Sequence, residues 1–126
     1  MKMEFLPDGS PDCPLIRLYE FSVAEVQELR RFCMSLADGS ATCIALHQQP
    51  GITAIGGCEL NLRIDKRDVG LLQSKTMKFD CALTDEGWRE VADLAEPFCD
   101  KVGPNTYQWL NEDGEVSLLL SPSGQW

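Results

Sequence analysis

Apolar and polar residues recur along this chain with two different periods, and the switches between them divide it into elements. The clearest helical stretch opens at Ser22-Val23-Ala24-Glu25, a serine followed three residues later by a glutamate able to reach back to it. Val23, Val26, Leu29, Phe32, Cys33 and Leu36 then share one stripe, Glu25, Glu28 and Arg31 lie off it, and Gly39 supplies the stop. This pattern predicts a helix over 22–37. A second helix is predicted from Thr84 or Asp85, either of which can cap it, with acids in the first turn to match the dipole. Its stripe is Trp88, Val91, Ala92, Ala95 and Cys99, and Pro97 makes its end ragged.

Elsewhere the period is two. Residues 58–64 place Cys58, Leu60, Leu62 and Ile64 on one face, and 75–83 place Met77, Phe79, Cys81 and Leu83 opposite Lys78 and Asp80. These two strands are expected to pair antiparallel, across a turn at 65–70 and a loosely patterned 71–74. Residues 15–19 and 42–47 have strand composition, and Pro50-Gly51 ends the second; 52–55 is a short extended piece. Gly56-Gly57 breaks the pattern, as glycine does at a bulge or a close backbone approach. Residues 107–110 and 115–120 flank Asn111-Glu112-Asp113-Gly114, a hairpin signature. The first fourteen residues read as an opening loop. The order strand, helix, three or four strands, helix, hairpin is not a regular βαβ alternation. It predicts an α+β fold: a mostly antiparallel sheet of about five to seven strands with two helices packed on one face. At 126 residues, 44% of them apolar, the chain is expected to form a single domain, 1–126, around one core.

Charge narrows the partners. Twenty Asp and Glu against eleven Lys and Arg leave a net charge of −9. Nucleic acids and anionic lipids are bound by neutralising phosphate with Lys and Arg, so this balance argues against both. The densest basic stretch, Arg63 to Asp68, carries its own acids and reads as a solvated turn. No secretory signal is apparent, and runs such as Leu118-Leu119-Leu120 fall far short of the ~20 residues a membrane span needs.

Six cysteines could mark disulfides or zinc, but the closest two are ten residues apart and only one histidine, His47, accompanies them. Phase is more telling. Cys33, Cys58, Cys81 and Cys99 fall on apolar faces, as free cysteine does when it serves as a small buried hydrophobe. Such thiols suit a reducing, cytoplasmic compartment. Cys13 lies in the turn-rich Asp8 to Pro14 loop beside Asp12, which disfavours a thiolate, so an inert surface thiol is expected.

Catalytic constellations are sparse. On a strand, Cys43 and His47 share a face but stand about 13 Å apart, too far for proton transfer; only a helix would make them neighbours. No Gly-x-Ser-x-Gly elbow, calcium loop or phosphate loop is present. No catalytic residue, metal ligand or cofactor is therefore assigned. Trp126 ends a short turn-forming tail and is expected to pack back onto the protein or into a partner. The leading expectation is a small acidic, non-catalytic protein-binding module that uses an acidic surface or its hairpin to meet a partner with a basic surface. The alternative is a small enzyme or small-ligand-binding protein with its site near His47, Gly56 and Gly57. A homodimer formed through an unpaired sheet edge is a third reading. His47, Gly56, Gly57 and Trp126 are the candidate contact residues.

Overall fold

The chain opens in a strand. In the computed structural model, which describes residues 1–126, Lys2–Leu6 forms β1 and pairs antiparallel with β2, Leu15–Tyr19. This corrects the reading of residues 1–14 as a loop. Met3 is fully buried and the Phe5 ring lies 4.6 Å from that of Phe79, while Lys2 and Glu4 pair on the other face with Glu20 and Arg17. The period-two signal was present, but five residues beside a Pro-Gly-rich loop gave it little length.

Helix α1, Val23–Asp38, forms as its sequence predicts. The Glu25 N–H donates to Ser22 Oγ at 3.2 Å, the Ser22 N–H donates to Glu25 Oε1 at 2.9 Å, and Gly39 ends the helix at φ 81°. Strand β3, Cys43–Ala45, is shorter than expected because the chain turns into a 3₁₀ segment, Leu46–Gln48. Strand β4, Thr53–Ala54, and a second 3₁₀ turn, Ile55–Gly57, precede β5, Glu59–Ile64.

The strand predicted over 75–83 begins only at Lys78, and the loosely patterned 71–74 before it belongs to a further strand. Strand β6, Gly70–Lys75, reverses at Thr76-Met77 into β7, Lys78–Leu83. No glycine marks that reversal; Met77 itself adopts φ 60°. Leu72 to Lys75 are exposed on both faces, which erased the alternation expected of a half-buried strand. The reversal also overturns the antiparallel pairing expected between 58–64 and 75–83. Strand β7 inserts between β5 and β6, so β5 and β7 run parallel, Leu60 beside Phe79 and Leu62 beside Cys81.

Helix α2, Asp85–Ala95, is capped by Thr84 and continues into a 3₁₀ turn, Glu96–Cys99, at Pro97. The hairpin follows as β8, Gln108–Asn111, and β9, Ser117–Leu120. The fold is α+β, with two helices and nine strands in two mixed sheets, ordered β4-β1-β2-β9-β8 and β3-β5-β7-β6. Antiparallel pairs (β1/β2, β3/β5, β6/β7, β8/β9) alternate with parallel ones (β1/β4, β2/β9, β5/β7).

One apolar core joins both sheets and both helices, including Met3, Leu18, Leu36, Leu60, Phe79, Trp88 and Leu118. The sheets are stitched where Val116 N–H donates to the Leu71 carbonyl at 3.1 Å. Backbones meet so closely there that a Cβ on Gly114 would fall 2.3 Å from the Leu71 oxygen, and one on Gly70 2.2 Å from the Gly114 nitrogen. Gly114 was expected for its turn; the structure requires it for this contact.

Candidate functional site

His47 is held by the backbone it terminates. Strands β3 and β5 pair as far as Ala45 opposite Asn61, after which the chain leaves for the 3₁₀ turn. The imidazole takes over at the vacated position: Leu60 N–H donates to His47 Nδ1 at 3.1 Å. Nε2 faces Glu59 Oε1 at 3.5 Å, and Glu59 lies 4.0 Å from Lys78 Nζ. Gly56 and Gly57 sit just upstream of β5 with φ 65° and 77°, two successive left-handed residues that make the turn itself. His47 and the glycines thus lie at one end of β5, where the ring satisfies the sheet edge.

A recess of about 270 Å³ lies between α1 and residues 46–52, lined by Leu29, Phe32, Leu46 and Ile52 with Glu25 and Glu28. Both carboxylates are engaged, Glu25 by the Met1 amino group and Ser22, Glu28 by Arg31. Burial works against the Glu25 charge, but those hydrogen bonds prevail and hold its carboxyl below the ordinary range. No free polar group converges on this space.

Trp126 packs back onto the hairpin. Its ring stands 6.5 Å from that of Trp109, interplanar angle 74°, and its Nε1–H donates to Asp12 Oδ2 at 3.0 Å. The tail that carries it is pinned by Arg17, which donates to the Gly124 carbonyl at 2.8 Å, and by Ser121, which donates to the Gln125 carbonyl at 2.5 Å. Trp126 therefore shares no neighbourhood with His47, Gly56 or Gly57 in the described contacts.

The acids are unevenly used. Several serve the fold: Glu4 binds Arg17, Asp38 accepts from Ser40 N–H, and Asp68 accepts from both the N–H and the hydroxyl of Thr84. The α2 ridge is different. Asp85, Glu86, Glu90, Asp93, Glu96 and Asp100 are all exposed, and only Asp85 accepts a hydrogen bond, from the neighbouring Glu86 N–H. The helical period places Glu86, Glu90 and Asp93 on one stripe, bordered by Leu94, which is 36% exposed. Like charges at such spacings oppose one another, and acids near a helix C-terminus oppose the dipole. Asp93, Glu96 and Asp100 stand there, and no basic residue occupies the last turn of α2. The ridge has a sequence signal that single acids do not carry, six acids to one arginine, Arg89, over residues 85–100.

All six thiols are free. Cys33, Cys58 and Cys81 are buried as their phase predicts, whereas Cys99 is only half-buried, at the ragged end of α2, and Cys43 is exposed. Burial pushes the Cys33 thiol up to about 12 and Cys58 up to about 11, and raises Cys81 and Cys99 as well. In the native protein an alkylating reagent should therefore modify Cys13 and Cys43 first and leave Cys33, Cys58 and Cys81 until unfolding, as peptide mapping would show. Modification of Cys81 at the rate of Cys43 would contradict this. Because these thiols ionise more readily when unfolded, stability should be intact below pH 9 and fall as pH rises from there through the range 11–12.

No group of three or more His, Cys, Asp or Glu is arranged to hold a metal ion, and no helix is long and apolar enough to cross a membrane. The chain matches no protein-family model, and no curated protein or solved structure matches it.

Proposed function

We propose that this chain is a small acidic, non-catalytic binding module that engages a protein partner with a basic surface through the α2 ridge. The observation that supports it is the placement of Glu86, Glu90, Asp93, Glu96 and Asp100: exposed, unpaired, and partly set where helix electrostatics penalise them. Beyond the first turn, folding gains nothing from such charges; a cationic partner would. Leu94, with Pro97 following in the 3₁₀ turn, offers an apolar centre within a charged surround, the arrangement in which a contact residue is shielded from water.

Charges spaced along one helix face attract cations over roughly a Debye length, about 8 Å at physiological ionic strength. Calorimetric titration with a lysine-rich peptide should show binding that weakens steadily as salt is added. The triple variant Glu86→Gln, Glu90→Gln, Asp93→Asn should bind at least tenfold more weakly while melting close to the parent, since the repulsion relieved along the stripe offsets the first-turn charge lost at Glu86. Salt-insensitive binding, or a variant that binds as the parent does, would refute the reading.

A further inference from the structure

A second surface feature shares no residue with the α2 ridge. The Trp109 and Trp126 rings meet at 74° and, with Tyr107 from the start of the hairpin, line a recess of about 430 Å³ whose remaining wall is polar, from Gly9, Ser10, Asp12 and Gln125. Tyr107 is 49% exposed, so its ring is open to a ligand. Asp12 stands in the same wall and holds the Trp126 indole through Nε1. An adjoining recess of about 340 Å³ shares Tyr107, Gln125 and Trp126.

Aromatic faces are electron-rich, and rings set at an angle rather than as one platform can present more than one face to a single cation. Nothing in either lining is basic. The nearest guanidinium along the tail, Arg17, is committed to Glu4 at 2.6 Å and 3.0 Å and to the Gly124 carbonyl. The polar groups of Ser10, Asp12 and Gln125 in the wall argue against a plain hydrocarbon guest, and the Asp12 carboxylate against an anion. A bare ammonium is strongly hydrated and gives up water reluctantly, whereas N-methylation spreads the charge over a surface that suits aromatic walls.

We infer that the recess formed by Tyr107, Trp109 and Trp126 beside Asp12 binds a methylated ammonium group, carried either by a small quaternary amine or by a methylated lysine side chain. Tryptophan fluorescence provides the readout, because Trp109 and Trp126 line the site while Trp88 is fully buried elsewhere. Choline should quench the emission saturably, with a dissociation constant on the order of millimolar for so open a site. Its uncharged carbon analogue, 3,3-dimethylbutanol, should bind at least tenfold more weakly. Tyr107→Ala and Asp12→Asn should each weaken choline binding several-fold; Tyr107 is exposed enough that its variant tests the site without endangering the fold.

A trimethyllysine peptide binding at least tenfold more tightly than choline would support the site and identify its source as a modified protein; equal affinities would support it and point to a small metabolite. Equal binding of choline and 3,3-dimethylbutanol would overturn the proposal, as would saturable quenching by methyl glucoside in place of choline, or no saturable quenching by choline.

Discussion

Gly114→Ala is expected to destabilise the fold by on the order of 3 kcal/mol, although its backbone conformation suits any residue. The added methyl would fall 2.3 Å from the Leu71 carbonyl oxygen and 2.5 Å from its nitrogen, and backbone cannot swing aside as a side chain can. The two sheets would have to part where Val116 hydrogen-bonds to Leu71. Two further substitutions separate the causes. Gly9→Ala, at φ 103° with open space around it, should lose only about 1–2 kcal/mol to left-handed strain. Gly70→Ala, at φ 87° and 2.2 Å from the Gly114 nitrogen, should suffer both penalties and rank as the worst of the three. Urea denaturation of the three variants gives the order directly; Gly114→Ala as mild as Gly9→Ala would show that the sheets do not meet there.

Trp88→Ala should cost about 3–5 kcal/mol, the range for emptying a buried aromatic site. Trp88 is fully buried in the core, and its Nε1–H donates to the Arg63 carbonyl at 2.9 Å, tying α2 to the end of β5. Trp88→Phe fills most of the space but leaves that carbonyl without its partner, so it should recover part of the loss and remain about 1–3 kcal/mol below the parent. If phenylalanine were as stable as tryptophan, the hydrogen bond would contribute nothing and the anchoring of α2 would be apolar packing alone.

Residues whose neighbours in sequence are also their partners in space were legible from the start. Ser22 and Glu25 cap each other, Gly39 stops α1, Thr84 caps α2, and β8 and β9 pair as a hairpin, although the connection is the five-residue 112–116 instead of a tight Asp-Gly turn. What escaped depends on distant pairing. Strand β7 is parallel to β5 because β6 folds to its far side, and the turn that makes this so is carried by Met77, a residue with no turn preference. Strand β1 instead pairs over its whole length with nearby β2, so it escaped for shortness and for the Pro-Gly-rich loop between them; only its two-residue bridge to β4 is distant. The candidate sites divide in the same way. His47 stands out in the sequence as a candidate contact, and the hydrogen bond from Leu60 that holds its ring depends on where β3 ends, which local spacing does not encode. The aromatic recess needs the tail to return across the hairpin, where Trp126 meets Trp109 and Asp12, and no local spacing encodes that. The acid ridge, by contrast, lay in plain view along 85–100 and was concealed only because solvated helix faces are commonly charged.

Whether binding belongs to the α2 ridge or to net charge alone is decided by comparing two variants of equal charge. One neutralises Glu86, Glu90 and Asp93; the other neutralises Glu20, Glu112 and Glu115, exposed acids outside that helix. Each raises the net charge by three, and both are titrated with the same lysine-rich peptide at matched ionic strength. A localised site predicts a loss of at least tenfold for the first variant and little change for the second. Equal losses in the two would mean that the peptide senses only the protein's overall charge, and the ridge would have no binding role of its own.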